Sequence, residues 1–147
     1  MHSKITSAGK IQEVSALLTL PGSRIIAGGT TFSPDSEEER YLVDISGLEG
    51  LDGIKQKGTR IELGSLTSLS AMANSMLLRA YAPALAEAAA EASAEIRDRG
   101  TLGGNLAAEA IGDCAAALLA SGAKLTIRTE SDFREILIDR FRKNVKR

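Results

Sequence analysis

Two glycine-rich stretches limit what this chain can become. The first, Ala27-Gly28-Gly29-Thr30-Thr31, follows the run Arg24-Ile25-Ile26; the second lies within Ile96-Arg97-Asp98-Arg99-Gly100-Thr101-Leu102-Gly103-Gly104-Asn105. Glycine reaches positive φ and lets a backbone come close to a neighbour or a ligand with no Cβ in the way. A strand running straight into Gly28-Gly29 has to turn there, and two hydroxyl residues follow at once. Successive N–H groups in such a turn form a concave anion site. Neither stretch matches G-x-G-x-x-G or G-x-x-x-x-G-K-[ST], and a lone Gly-Gly is ordinarily just a turn. Two of them, each beside a hydroxyl residue, suggest two turns facing one diphosphate.

The rest of the chain narrows the field. At 147 residues it fits one domain, or two small lobes sharing a core, and at 44% hydrophobic and 25% charged it has the balance of a globular protein. A formal charge of −1 leaves no basic footprint for nucleic acid or an anionic membrane, and 3% aromatics with no Trp gives bases nothing to stack on. Nucleic acid is therefore not expected as a partner. No apolar run approaches the roughly 18 residues of a membrane span, and Met1-His2-Ser3-Lys4 opens no signal-like stretch. No membrane span is expected, and a cytoplasmic location is. The single cysteine, Cys114, and single histidine, His2, argue against metal, Cys-His and Ser-His-Asp chemistry.

Along the chain, Ser7 reads as an N-cap before the helical face Ile11, Val14, Leu17 and Leu18, which Pro21-Gly22 ends. Ser23 to Ala27 and Tyr41 to Ile45 read as strands, with the acidic segment from Ser33 to Arg40 a solvated loop or helical turn between them. Gly53 to Lys57 and Thr59 to Leu63 read as a hairpin turning at Lys57-Gly58. A lobe boundary near residue 50 is expected, giving an N-terminal lobe over 1–50 and a second over 51–147. Thr67 or Ser68 caps a helix through Met76, and Pro83 to Ser93 is an alanine-rich helix. Gly112-Asp113 precedes a helix from Cys114 to Ser121 that Gly122 closes. Asp113 is either simply an N-cap, or an N-cap whose carboxylate also accepts from a ligand hydroxyl. Lys124 to Arg128 and Ile136 to Ile138 read as closing strands before a basic, frayed tail from Arg142 to Arg147. The expected class is α+β, two α/β lobes.

In order along nearly the whole chain, Arg24 to Thr31, Leu42-Val43-Asp44-Ile45, Ile61 to Thr67, Pro83-Ala84-Leu85, Ile96 to Leu106, and Asp113 with Leu118-Leu119-Ala120 resemble the FAD-binding subunit of the molybdenum hydroxylases. That is the family of the xanthine dehydrogenase and carbon monoxide dehydrogenase flavoproteins. The block Ile-Arg-x-Arg-Gly-Thr-x-Gly-Gly-Asn is its most specific part. The resemblance implies that Ala27, Gly28, Gly29, Thr30 and Thr31 offer N–H groups and hydroxyls to the FAD diphosphate. Thr101, Gly103, Gly104 and Asn105 would do so from the opposite side, and Asp113 would contact the FAD. It further implies electron transfer from a partner's iron–sulfur clusters to NAD or another acceptor. The implied partners are a molybdopterin-binding large subunit and a [2Fe-2S] small subunit, and no catalytic triad is expected.

The chain departs from the family pattern in three places. Thr31 stands where many relatives have Asp or Ser. The segment between Asn105 and Asp113 is one residue short and lacks Ser-Pro, and the chain stops at Arg147, before the family's further C-terminal domain. Two other readings stay open on these grounds: a shortened, non-catalytic scaffold with weak or no FAD binding, and a binder of another diphosphate ligand.

Overall fold

Short apolar runs at the N-terminus build a parallel sheet. β1 (Lys4–Ser7), β2 (Ser23–Ile26) and β3 (Tyr41–Asp44) lie in the order β1-β3-β2, with both pairings parallel. As the central strand, β3 presents side chains to both faces, and so Leu42 and Val43 are both buried. Val43 joins Ala8, Val14 and Leu48 in a small apolar cluster under α1 (Ile11–Leu17). This computed structural model describes residues 4–31, 41–108, 112–129 and 131–144, without the side chains of 142–144. His2 and the whole acidic segment from Ser33 to Arg40 lie outside the described residues.

Ser7 is not a helix cap. It closes β1, and α1 starts at Ile11, where the Glu13 carboxylate reaches back to accept from the N–H groups of Gly9 (2.8 Å) and Lys10 (3.2 Å). A carboxylate in the first turn satisfies N–H groups that the helix leaves unpaired, and did so here in place of a hydroxyl.

From residue 50 onward, elements gather round a larger cluster. The antiparallel hairpin of β4 (Ile54–Lys57) and β5 (Arg60–Leu63) turns through Gly58-Thr59, one residue later than expected, with Gly58 at φ 60 as the first loop position. α2 (Leu69–Asn74), capped by Ser68, stops short of Met76, because Ser75 leaves the helix and caps α3 (Met76–Tyr81) by accepting from the Leu78 N–H. α4 (Pro83–Ala90) begins with proline in its first turn but ends three residues before Ser93. It packs its small residues against α2 and α7 (Asp113–Ala120). α5 (Ala94–Arg99) and α6 (Leu102–Ala107) lie between them in the chain. Leu69, Met72, Leu78, Leu102, Cys114 and Leu118 are among the buried residues of this core.

The chain then forms the antiparallel pair β6 (Lys124–Arg128) and β7 (Phe133–Leu137), followed by α8 (Ile138–Asn144). Ile138 is thus the first residue of a helix rather than the end of a strand, and it is almost wholly buried in the second core. Its side chain is apolar like its strand neighbours, so the residue type alone did not mark the change. Arg142 to Asn144, read as frayed tail, continue that helix, and 145–147 lie outside the described residues. The architecture is α+β, as expected. Among the described residues no helix is long and apolar enough to cross a membrane.

Candidate functional site

The two glycine stretches meet. A Cβ on Gly28 would fall on the Arg99 carbonyl oxygen, with the carbonyl carbon 2.7 Å away and the Gly100 Cα 3.3 Å away. The strand end at Ile26 and the end of α5 therefore approach backbone to backbone, which only glycine at 28 permits. Gly29 adopts φ 69, the left-handed region, and turns the chain from β2 into Thr30 and Thr31, both exposed. The turn lies past the carboxyl end of a parallel strand, where open α/β sheets place ligands.

Among the described residues, the backbone N–H groups of Gly28, Gly29, Thr30 and Thr31 have no hydrogen-bond acceptor within the chain. The Arg99 guanidinium lies alongside, its Nη2 3.4 Å from where a Gly29 Cβ would stand. The turn is thus lined with donors, as a concave anion site is.

The second stretch is built differently from the expected turn. Gly103 and Gly104 lie in the first turn of α6, and neither has positive φ. Thr101 is the N-cap, its hydroxyl oxygen accepting from the Gly104 N–H at 3.1 Å. The Gly103 N–H donates to the Ser65 carbonyl at 2.7 Å, and the Asn105 N–H donates to the Thr101 carbonyl at 2.9 Å. Glycine at 103 is explained by close packing, since a Cβ there would lie 2.9 Å from the Ser65 oxygen and 3.0 Å from the Ser65 Cβ. Gly104 is exposed, and a Cβ there meets only the Thr101 hydroxyl, at 3.1 Å.

Two further bonds hold this stretch to the core: the Leu69 N–H to the Gly100 carbonyl (3.0 Å) and the Leu102 N–H to the Thr67 carbonyl (2.9 Å). Ser68 and Thr101 form an isolated antiparallel bridge between them. Asn105 Oδ1 is buried and has no hydrogen-bond partner in the structure. Gly112 packs so tightly on this side chain that a Cβ at 112 would lie 2.6 Å from that oxygen.

Asp113 is not an N-cap. Gly112 holds that position, and Asp113 is the exposed first residue of α7. The shift by one residue turns its carboxylate from the capping position to the favourable N-terminal end of the helix dipole. Sequence reasoning also passed over Arg99, Ser65 and Thr67 as site residues. The block around Arg99 was visible, but not that its arginine lies along the first turn.

Over residues 1–147 the chain matches the family described as the FAD binding domain in molybdopterin dehydrogenase, and it belongs to that family. FAD is the cofactor of that family's domain. The chain is 34% identical over 104 residues to the carbon monoxide dehydrogenase medium chain of Hydrogenophaga pseudoflava, covering 66% of this chain and 36% of that one. It is 36% identical over 120 residues to the 6-hydroxypseudooxynicotine dehydrogenase complex subunit alpha of Paenarthrobacter nicotinovorans, covering 78% and 40%. Among solved structures, carbon monoxide dehydrogenase from Hydrogenophaga pseudoflava lacking the Mo-pyranopterin moiety of its cofactor matches with a TM-score of 0.86 at 26% identity, over 95% of this chain and 51% of that one. Quinoline 2-oxidoreductase from Pseudomonas putida 86 matches with a TM-score of 0.80 at 25% identity, over 92% and 50%. The chain thus spans about half or less of the relatives it matches.

Proposed function

We propose that this chain carries the FAD of an electron-transfer subunit in a molybdenum hydroxylase, taking electrons from a partner's iron–sulfur clusters and passing them to NAD or another acceptor. The observation that carries the reading is the backbone contact of Gly28 with Arg99 and Gly100, which brings the first glycine turn against the start of the second stretch and so supports one shared site. The partners would be a molybdopterin-binding large subunit and a [2Fe-2S] small subunit, in the cytoplasm. The lobes would divide near residue 50, into 1–50 and 51–147, with the cofactor between them.

The residues present fit a dinucleotide. The unpaired N–H groups of Gly28 to Thr31, with the Thr30 and Thr31 hydroxyls, suit phosphate oxygens, which are acceptors only. Ala27 leads the strand into that turn and sets where it begins. The Thr101 hydroxyl still has its proton to donate, because its oxygen is the atom that accepts from Gly104. Asn105 Oδ1 is an acceptor, and so it suits a sugar hydroxyl better than a phosphate. Gly103 supports the site by letting α6 sit on Ser65. Gly104 leaves the surface open beside Thr101, and the exposed Asp113 carboxylate would accept from a ligand hydroxyl. When bound, FAD supplies the one- and two-electron chemistry; the chain holds it, orients it and sets its surroundings.

The direct test is to purify the full chain and record its absorbance before and after added FAD, then release the flavin by denaturation. Yellow protein yielding FAD is the expected result. Colourless protein that takes up no FAD, alone or with candidate partner subunits, would return the chain to the scaffold reading.

A further inference from the structure

We propose that Arg99 is the cationic arm of the first glycine turn, its guanidinium supplying the charge that a diphosphate at Gly28 to Thr31 requires. The inference rests on the FAD reading and adds to it a side chain with a stated role. Three observations carry it.

The first is position. The Arg99 backbone is fixed against Gly28, and its Nη2 extends beside Gly29. The second is availability. Arg79 donates from Nε to the Ala73 carbonyl at 3.0 Å, and Arg97 donates from Nη1 to the Ala90 carbonyl at 3.1 Å. Both of those arginines serve helix ends. The Arg99 side chain is exposed and makes no hydrogen bond or ion pair among the described residues. The third is the state of the opposite wall. The Gly103, Gly104 and Asn105 N–H groups are bonded within the chain, so the second stretch has few backbone donors left for an anion. Neutral dipoles from one turn leave a diphosphate's charge uncompensated, and an arginine fork pairs two phosphate oxygens at once.

The test is a titration of the full chain with FAD, followed by flavin fluorescence, at several salt concentrations and with inorganic pyrophosphate as competitor. Arg99→Gln is expected to weaken FAD binding roughly 10- to 100-fold, the range of one charge-assisted hydrogen bond. It should also flatten the salt dependence and abolish competition by pyrophosphate, while Arg99→Lys restores part of each. A purely structural role would not change the salt slope. Arg99→Met, which keeps an unbranched stem along Gly29, is the second variant should the Gln chain fail to fold, with the same losses expected.

FAD affinity within about twofold of the parent, at an unchanged salt slope, in a folded Gln or Met variant overturns the inference. If the parent chain binds pyrophosphate through Arg99 but takes up no FAD, the flavin reading fails and the role of Arg99 stands. If it binds neither, both fall.

Discussion

Thr67 Oγ1 donates to the Gly53 carbonyl oxygen and accepts from the Gly53 N–H, each at 3.0 Å. Among the described residues Thr67 is the one buried polar side chain, fully out of solvent. Its own carbonyl receives the Leu102 N–H, so a single residue ties the base of the β4–β5 hairpin to the start of α6. Thr67→Val keeps the shape and removes the hydroxyl. Gly53 retains second partners in the Asp52 carboxylate and the Gly64 N–H, which places the cost at the low end for a broken buried bond, about 1–2 kcal/mol. Chemical denaturation should show that loss, with Thr67→Ser recovering much of it; an unchanged midpoint for Thr67→Val would remove this tie from the account.

Gly28→Ala should separate the two stretches. The added methyl cannot be absorbed by a flexible side chain, because what it meets is the Arg99 carbonyl. We expect a stability loss of about 1–3 kcal/mol and FAD affinity lower by tenfold or more. Gly29→Ala instead imposes a left-handed backbone on a residue with a Cβ, costing roughly 1 kcal/mol, with Gly29→Asn milder. Equal thermal stability of the parent and the Gly28 variant would contradict the close approach.

Gly103 and Gly104 should respond differently although they are neighbours. Gly103→Ala drives a methyl into Ser65 and strains the 2.7 Å bond between them, so stability should fall by about 1–3 kcal/mol. Gly104→Ala occupies an exposed helical position, where loss of glycine gains up to about 1 kcal/mol against the contact with the Thr101 hydroxyl. Gly104→Val should leave melting little changed and weaken FAD binding; unaltered FAD affinity would take Gly104 out of the site.

Burial pushes the Cys114 thiol up from an ordinary 9.0 to about 11, with the neighbouring Asp113 carboxylate adding to the shift. A neutral thiol is a poor nucleophile, so a thiol reagent at pH 8 should label Cys114 only as the chain unfolds. The raised value also sets a stability window. The folded state holds this proton more tightly than the unfolded one, so the contribution is full below about pH 9 and is lost as pH climbs toward 11. Cys114→Ala should show a smaller decline across that window than the parent does, and parallel curves would exclude the thiol as the cause.

β2 to β6 were legible because short apolar runs bounded by Pro, Gly or acidic residues leave few alternatives, and the central strand β3 falls where Leu42-Val43 predicted; β1, with a single isoleucine among polar residues, went unread, and β7 begins three residues earlier than expected, at Phe133. Ser75 was harder. Helix-favouring residues stand on both sides of it, and only its hydroxyl, accepting from Leu78 N–H, converts it into a boundary. The Gly103-Gly104 pair read as a turn because glycine disfavours helix; the Thr101 cap and the fit against Ser65 override that preference. At the site, the approach of the two stretches followed from the resemblance. The place of the Arg99 side chain depends on a contact between distant parts of the chain, which no local pattern encodes.

The Gly28 contact with Arg99 and the bridge between Ser68 and Thr101 join stretches far apart in sequence. Loop closure of that kind comes late and slowly in folding. A dinucleotide bound at the proposed site would therefore enter a finished protein rather than template the nascent one. Refolding rates should be independent of added FAD, with flavin uptake following as a separate, concentration-dependent phase.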